Sequence, residues 1–299
     1  MKNITVLALG GNAISADSHK EEGRNILKTL HGVEILIRAG PLVITHGNGP
    51  QVGRLFEKLG LPLWLCTAQT QGEIGTLIQQ NLTRYLERQN IRQEIITILT
   101  HVLIDPADES LAKPTKPIGG FYTEKEAEKL RKRERYRMSK DPAGRGWRQV
   151  VPSPKPLGII EMTTIIERLK HDFIVIAGGG GGIPVFQSTD GVVPIEAVID
   201  KDYTSSLIAA KTGAERLILL TNEDFVKLNF REHNEQNLTR LSLEKAKKLL
   251  KEGQFKTGMR TKVDAAVDFL ECGGGEALIG PVFRLKEVLE GAVGTVVTA

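Results

Sequence analysis

An open α/β fold, with a mainly parallel sheet and helices on both of its faces, is what this 299-residue chain predicts. Three observations lead there. Strand-like apolar runs alternate with stretches of helical periodicity over most of the chain. The runs are continuously apolar, as in strands covered on both sides. Three of them end in glycine-rich turns, where fanned-out backbone N–H groups make a fixed site for an anion.

The elements follow in order. Ile4 to Leu9 reads as a strand and runs into Gly10-Gly11-Asn12. Ile26, Leu27, Leu30, Val33 and Ile37 recur at helical spacing, with Gly40 as the stop. Strand Leu42–Thr45 leads into His46-Gly47-Asn48-Gly49-Pro50-Gln51-Val52-Gly53 and a helix through Arg54-Leu55-Phe56. From about Gln71 to Gln89, Ile74, Leu77, Ile78, Leu82 and Leu86 share one helix face. Glu94–Thr100 predicts a strand with Ile95, Ile96, Ile98 and Leu99 buried on both sides.

From Asp105 to Val151 charged residues and prolines take over. Thr123 and Glu126 form a capping box opening a polar helix, and Arg131-Lys132-Arg133-Glu134-Arg135 reads as a solvated face. Residues 105–151 are therefore expected to be a polar lid inserted into one domain spanning 1–299. Alternation resumes over Glu161–His171 and Phe173–Ala177, the latter leading into Gly178 to Gly182. Helix Tyr203–Thr212, strand Leu217–Leu220, helices Leu243–Lys251 and Lys262–Glu271 and a last strand near Val293–Val297 complete the chain.

Composition narrows the function. Forty Lys and Arg stand against 36 Asp and Glu, and a surplus of +4 without an aromatic-studded basic stretch predicts no nucleic-acid partner. Apolar content of 40% is ordinary for a soluble protein, and no apolar run nears the ~20 residues needed to span a bilayer, so no membrane role is expected. The run after Met1-Lys2-Asn3 is too short for a secretory signal. Cys66 and Cys272 stand alone in sequence and read as buried free thiols in a reducing, cytoplasmic setting.

Several nucleotide sites are excluded. GxxxxGK[ST] is absent, since Gly253 to Gly258 continues Met259-Arg260; GxGxxG fails at Ile183; HRD and DFG signatures are missing. A different phosphate-binding design is needed, and Ala197-Val198-Ile199-Asp200-Lys201-Asp202 supplies its charge. Lys201 between two aspartates at the end of an apolar run suits neutralising a transferring phosphoryl group, with a carboxylate fixing it. Read alone, the segment is equally a surface ion pair. Lys262 and Lys116 are further candidates that, taken singly, read as solvent-exposed. His46 has no nucleophile motif or metal spacing beside it and is read as structural. Asn12 and Asn48 suit amide donation to an anion. Mg²⁺ is expected through nucleotide phosphates, with no protein metal cage.

Together and in this order the motifs resemble the carbamate kinases of the amino acid kinase superfamily. The matching stretches are Ala8 to Ala13, Thr45 to Gly53, Pro114 to Gly119, Gly144 to Arg148, Val150 to Pro156, Gly178 to Val185 and Glu196 to Asp202. The resemblance implies a three-layer αβα open sandwich, usually a homodimer, that interconverts ATP plus carbamate with ADP plus carbamoyl phosphate. It implies that Lys201 contacts the phosphate in transfer, Asp202 holds the lysines, Lys262 reaches the nucleotide phosphates, and Lys116 closes over the small substrate. Gly10, Gly11, Asn12, Gly47, Asn48, Gly49, Gly178, Gly179 and Gly180 would line the acceptor and phosphate sites, with Met259 and Thr221 beside the nucleotide.

The chain departs from the family at Thr257-Gly258-Met259-Arg260-Thr261-Lys262, where the family has Pro-Gly-Ser-Met-Gly-Pro-Lys, and at Leu220-Thr221-Asn222-Glu223-Asp224, Pro117 to Phe121 and Cys66 to Gly72. Arg260 could meet a phosphate or face water. The readings left open are a kinase of another small carboxylate or phosphate acceptor, and a nucleotide-binding protein without catalysis.

Overall fold

A computed structural model describes residues 3–16, 18–133, 137–141 and 144–299, apart from the side chains of Asn12, Ala13 and Thr257. One sheet runs, edge to edge, through Arg240–Ser242, Thr295–Thr298, Glu276–Pro281, Arg216–Thr221, Thr5–Leu9, Leu42–His46, Ile174–Ile176 and Ile95–Thr97. Neighbours pair parallel except Glu276–Pro281 with Thr295–Thr298.

The period of two in a strand explains why its central members are apolar throughout. Val6, Ala8, Val43, Val175, Leu217 and Leu219 face one layer, with Ile208 of helix Lys201–Thr212 and Val263 and Ala266 of helix Thr257–Glu271. Leu7, Leu9, Ile44, Ile176, Ile218 and Leu220 face the other, with Ile26, Leu36, Ile74 and Ile78. Both faces are covered, which gives the three layers the motifs implied.

The structure corrects several expectations. The periodic stretch up to Ala39 is two helices, His19–Thr29 and Val33–Ala39, because Gly32 between them is left-handed (φ 93°) and a Cβ there would lie 2.9 Å from Lys286 Cβ. The helix foreseen from Gln71 begins at Leu63, and the one foreseen from Lys262 begins at Thr257. Glu94–Thr100 is not a doubly buried strand. Ile95–Thr97 is the half-buried edge of the main sheet, Leu99 is 49% exposed, and the chain then enters His101–Ile104 of a second sheet. That second sheet also holds Gly191–Pro194, Ile183–Ser188 and Pro156–Ile159. Cys66 is buried, but Cys272 is exposed, since it follows the last turn of helix Thr257–Glu271 at the surface.

Lys116–Tyr122, Trp147–Val151 and Arg137–Lys140 form an antiparallel sheet, with helix Glu124–Arg131 opened by the Thr123–Glu126 capping box. Arg131, Lys132 and Arg133 of the charge run are exposed, as read. The Arg131 guanidinium lies 4.1 Å from the Trp147 ring centroid, while Glu134 and Arg135 lie outside the described residues. Ile118 and Val151 pack this sheet onto Val52 and Phe56 of helix Gly49–Leu59, beside Val198. Among the described residues no helix is long and apolar enough to cross a membrane.

Candidate active site

All three glycine turns open at the carboxyl edge of the main sheet, after Thr5–Leu9, Leu42–His46 and Ile174–Ile176. These strands are neighbours in the sheet, and Arg216–Thr221 flanks them. Such an edge is where open α/β sheets bind ligands.

The first two turns pack backbone to backbone. A Cβ on Gly47 would stand 2.7 Å from the Gly11 nitrogen, so only glycine lets the two turns close on each other, with the Lys201 stem in contact beside them. Asn48 precedes helix Gly49–Leu59, is buried, and donates through Nδ2 to Thr70 Oγ1 at 2.8 Å. The third turn, Gly178 to Gly180, is held from both sides: Gly178 N–H donates to Thr100 Oγ1 at 2.9 Å, and Thr204 Oγ1 donates to the Gly181 carbonyl at 2.7 Å. Gln71 in turn fixes Thr100 by two bonds, one to its N–H at 2.8 Å and one to its carbonyl at 3.1 Å.

Helix Lys201–Thr212 begins where these turns meet. Asp200 caps it, accepting from the Asp202 N–H at 3.1 Å. Lys201 is buried, and its ammonium is paired with Asp202 Oδ1. From the neighbouring helix, Lys262 reaches the other oxygen of the same carboxylate, Nζ to Oδ2 at 2.8 Å. Two ammonium groups thus share one carboxylate. Lys116 arrives from the antiparallel sheet and pairs with Asp200 Oδ2. The structure therefore brings Lys116, Lys201, Lys262 and Asp202 together through the adjacent aspartates 200 and 202.

The electrostatics follow from this sharing. Burial alone would raise the Asp202 carboxyl, but the Lys201 and Lys262 ammonium groups override it and hold it well below the usual carboxylate range. Burial, with Lys262 nearby, pulls Lys201 below the usual lysine range despite Asp202. Lys262 is largely but not fully covered, which opposes its charge, yet its pairing with Asp202 keeps it above that range. The three lysines outnumber the two aspartates, so a polyanion entering between them finds uncompensated positive charge.

Other residues fall less centrally. Gly10 and Gly11 open the first turn; the Asn12 side chain lies outside the described residues. Thr221 ends its strand, half-buried, with its carbonyl accepting from Val282 N–H at 2.7 Å. Met259 is half-buried against the core on the first turn of the helix bearing Lys262. Arg260 neither faces water alone nor meets the lysine cluster, since its Nη1 donates to the Leu250 carbonyl at 2.9 Å and satisfies the end of helix Leu243–Lys251. The capping role of Asp200, named in sequence only as one of the two aspartates beside Lys201, and the roles of Thr100 and Gln71 escaped the sequence reading. An aspartate directly before a helix is a cap signal that could have found the first, whereas long-range partners such as Gln71 and Thr100 leave no local trace.

His46 is fully buried next to Gly47 and Gly179. Burial pushes it down to about 4, with the Lys201 charge adding to the effect and a bond at 3.3 Å to the Gly47 carbonyl opposing it. As a base depressed on folding, it takes up its proton first in the unfolded chain as pH falls below its ordinary value of 6.5. Stability is expected to decline from there down to the folded value, by about 3 kcal/mol in all. Urea unfolding at neutral pH and at about pH 4.5 checks this: His46→Gln should lose less stability between the two than the parent.

The glycine turns, the parallel sheet and the buried lysine–carboxylate cluster define a phosphoryl-transfer class, and the chain belongs to the amino acid kinase family, whose profile matches residues 3–280. Within that family it is similar along its whole length to the carbamate kinases. It is 40% identical to the carbamate kinase of Pyrococcus horikoshii over 314 aligned positions, covering all of both chains. It is equally identical, 40%, to carbamate kinase 2 of Staphylococcus epidermidis, with 98% of each covered. Among solved structures, carbamate kinase from Giardia lamblia bound to AMP-PNP matches with a TM-score of 0.88 and 33% identity, covering 99% of this chain and 98% of that one.

Proposed function

We propose that this protein is a carbamate kinase, exchanging a phosphoryl group between ATP and carbamate to give ADP and carbamoyl phosphate. The observation that carries the reading is the Asp202 carboxylate shared by Lys201 and Lys262 beside three glycine turns. Full-length identity to carbamate kinases supports the choice of acceptor.

The reaction must bring a carbamate anion against a polyphosphate, and alignment with charge stabilisation supplies most of the catalysis. In this reading Lys262 meets the nucleotide phosphates and Lys201 meets the phosphoryl group in transfer. Asp202 keeps both ammonium groups protonated and spaced. The N-termini of helices Gly49–Leu59 and Lys201–Thr212 add partial positive charge at the same place. Gly10, Gly11, Gly49, Gly179 and Gly180 bring backbone N–H groups to the acceptor, with Asn12 and Asn48 as amide donors; Gly47 and Gly178, whose N–H groups are held by the Leu9 carbonyl and Thr100 Oγ1, line the site as close-packed backbone. Residues 105–151, with their antiparallel sheet, serve as the lid of a single domain, and Lys116 closes the small substrate against the cleft.

Mg²⁺ fits this site as a companion of the nucleotide. Both Asp202 oxygens and both Asp200 oxygens are already engaged, so the nucleotide phosphates would hold the ion, and its chemistry would be to neutralise their charge. The homodimer rests on the family resemblance. The free thiols of Cys66 and Cys272 suit a reducing compartment such as the cytoplasm.

A coupled assay of ADP plus carbamoyl phosphate tests the reading. ATP should form, and chelation of Mg²⁺ should stop it. Phosphorylation of acetate or an amino acid from ATP without any carbamoyl phosphate turnover would refute the acceptor. ADP binding with no transfer to any acid would refute the kinase.

A further inference from the structure

The two helices that carry Lys201, Asp202 and Lys262 are also joined by a second polar cluster. Tyr203 directly follows Asp202, and its hydroxyl donates to Asp264 Oδ2 at 2.6 Å. Asp264 lies two residues beyond Lys262 in the facing helix. Lys155 closes the cluster: its ammonium is 3.3 Å from Asp264 Oδ2, 3.4 Å from Asp268 Oδ2 and 4.6 Å from the Tyr203 ring centroid. Burial opposes charge on Lys155, yet Asp268 and Asp264 hold it above the usual lysine range.

Lys155 stands in Pro152-Ser153-Pro154-Lys155-Pro156, a segment whose three prolines restrict the backbone. The segment is itself tied down. Lys155 N–H donates to Asp108 Oδ2 at 3.2 Å, and the Pro152 carbonyl accepts from Val198 N–H at 3.0 Å. It connects strand Trp147–Val151 of the antiparallel sheet to strand Pro156–Ile159. A stiff strut thus presses a cation onto the point where the two lysine-bearing helices are bonded.

We propose that Tyr203, Asp264 and Lys155 form a positioning clamp that fixes the spacing of Lys201 and Lys262 for phosphoryl transfer. The inference rests on the kinase reading above. The clamp acts through the two lysines, because displacement of a charge-stabilising group by about 1 Å costs turnover far more than it costs binding or fold.

The test uses the full chain as Tyr203→Phe, Asp264→Ala and the double variant. Tyr203→Phe keeps the ring under Lys155 and removes only the hydroxyl. It should lower kcat about tenfold, leave KM for ADP within about threefold, and leave the thermal midpoint within a few degrees. The double variant should be no slower than Asp264→Ala alone, since the Tyr203 hydroxyl has already lost its acceptor there. Amide exchange followed by mass spectrometry should rise in the first turns of helices Lys201–Thr212 and Thr257–Glu271. A Tyr203→Phe kcat equal to the parent, or losses that simply add in the double variant, overturns the clamp. A parent with no turnover refutes the kinase reading instead, and amide exchange then decides the clamp: unchanged exchange in all three variants overturns it.

Discussion

Replacing Lys201 by methionine is expected to lower kcat by at least about 10³-fold, equivalent to about 4 kcal/mol of transition-state stabilisation, with little change in stability. The side chain is buried and carries charge at the meeting point of the glycine turns. Methionine keeps most of its volume, so the space beside Gly47 stays filled. Asp202 is not orphaned, because Lys262 still holds its Oδ2. A positive group acting mainly on charge that develops during transfer should therefore disappear from turnover while the thermal midpoint moves by only a few degrees. Steady-state ATP formation and a thermal melt on the same preparation check both halves. An unchanged kcat removes Lys201 from the reaction.

Asp202→Asn should do the opposite to stability. It leaves the buried Lys201 ammonium and the largely covered Lys262 ammonium facing each other without their shared counter-ion, and breaking a buried charge pair typically costs 3–5 kcal/mol. We expect a loss of about 3 kcal/mol, or a thermal midpoint lower by about 5–10 °C, together with a fall in turnover of at least about 100-fold. The pH dependence has a definite sign. Folding depresses the Asp202 carboxyl, so its contribution is complete above the unfolded carboxylate value and fades as pH falls through the folded one. The gap between parent and variant should hold from neutral pH to about pH 4 and narrow only below that. Denaturant unfolding across this range measures it; a gap that closes already near pH 6 would contradict the assignment.

Much of the frame could be read from residues because each signal was local. The runs Ile4–Leu9 and Leu42–Thr45 ended at glycine turns, and a parallel sheet places such ends on one edge. Helix Leu243–Lys251 was legible from spacing to the residue. What remained hidden depended on partners distant in sequence. Lys262 and Asp202 are 60 residues apart, and nothing local in either stretch pointed to their contact; only the family resemblance put Lys262 near a phosphate. Half-buried edge strands such as Ile95–Thr97 look like core strands in sequence, because apolar character does not say how much of it is covered. The short strands Arg137–Lys140 and Trp147–Val151 gave no alternating pattern, since their order comes from pairing within the antiparallel sheet and, for Val151, from packing on Val52 and Phe56. Arg260 read as a departure near the nucleotide, and its role became visible only when the end of a second helix was placed beside it.

The central claim is that one carboxylate holds two lysines in place to receive the same transferring group. A crystal structure with AMP-PNP and Mg²⁺ tests it most directly. Nζ of both Lys201 and Lys262 should lie within about 3 Å of phosphate oxygens, with Asp202 still between them. Lysines turned to opposite sides of the molecule, or phosphates bound away from both, would contradict it.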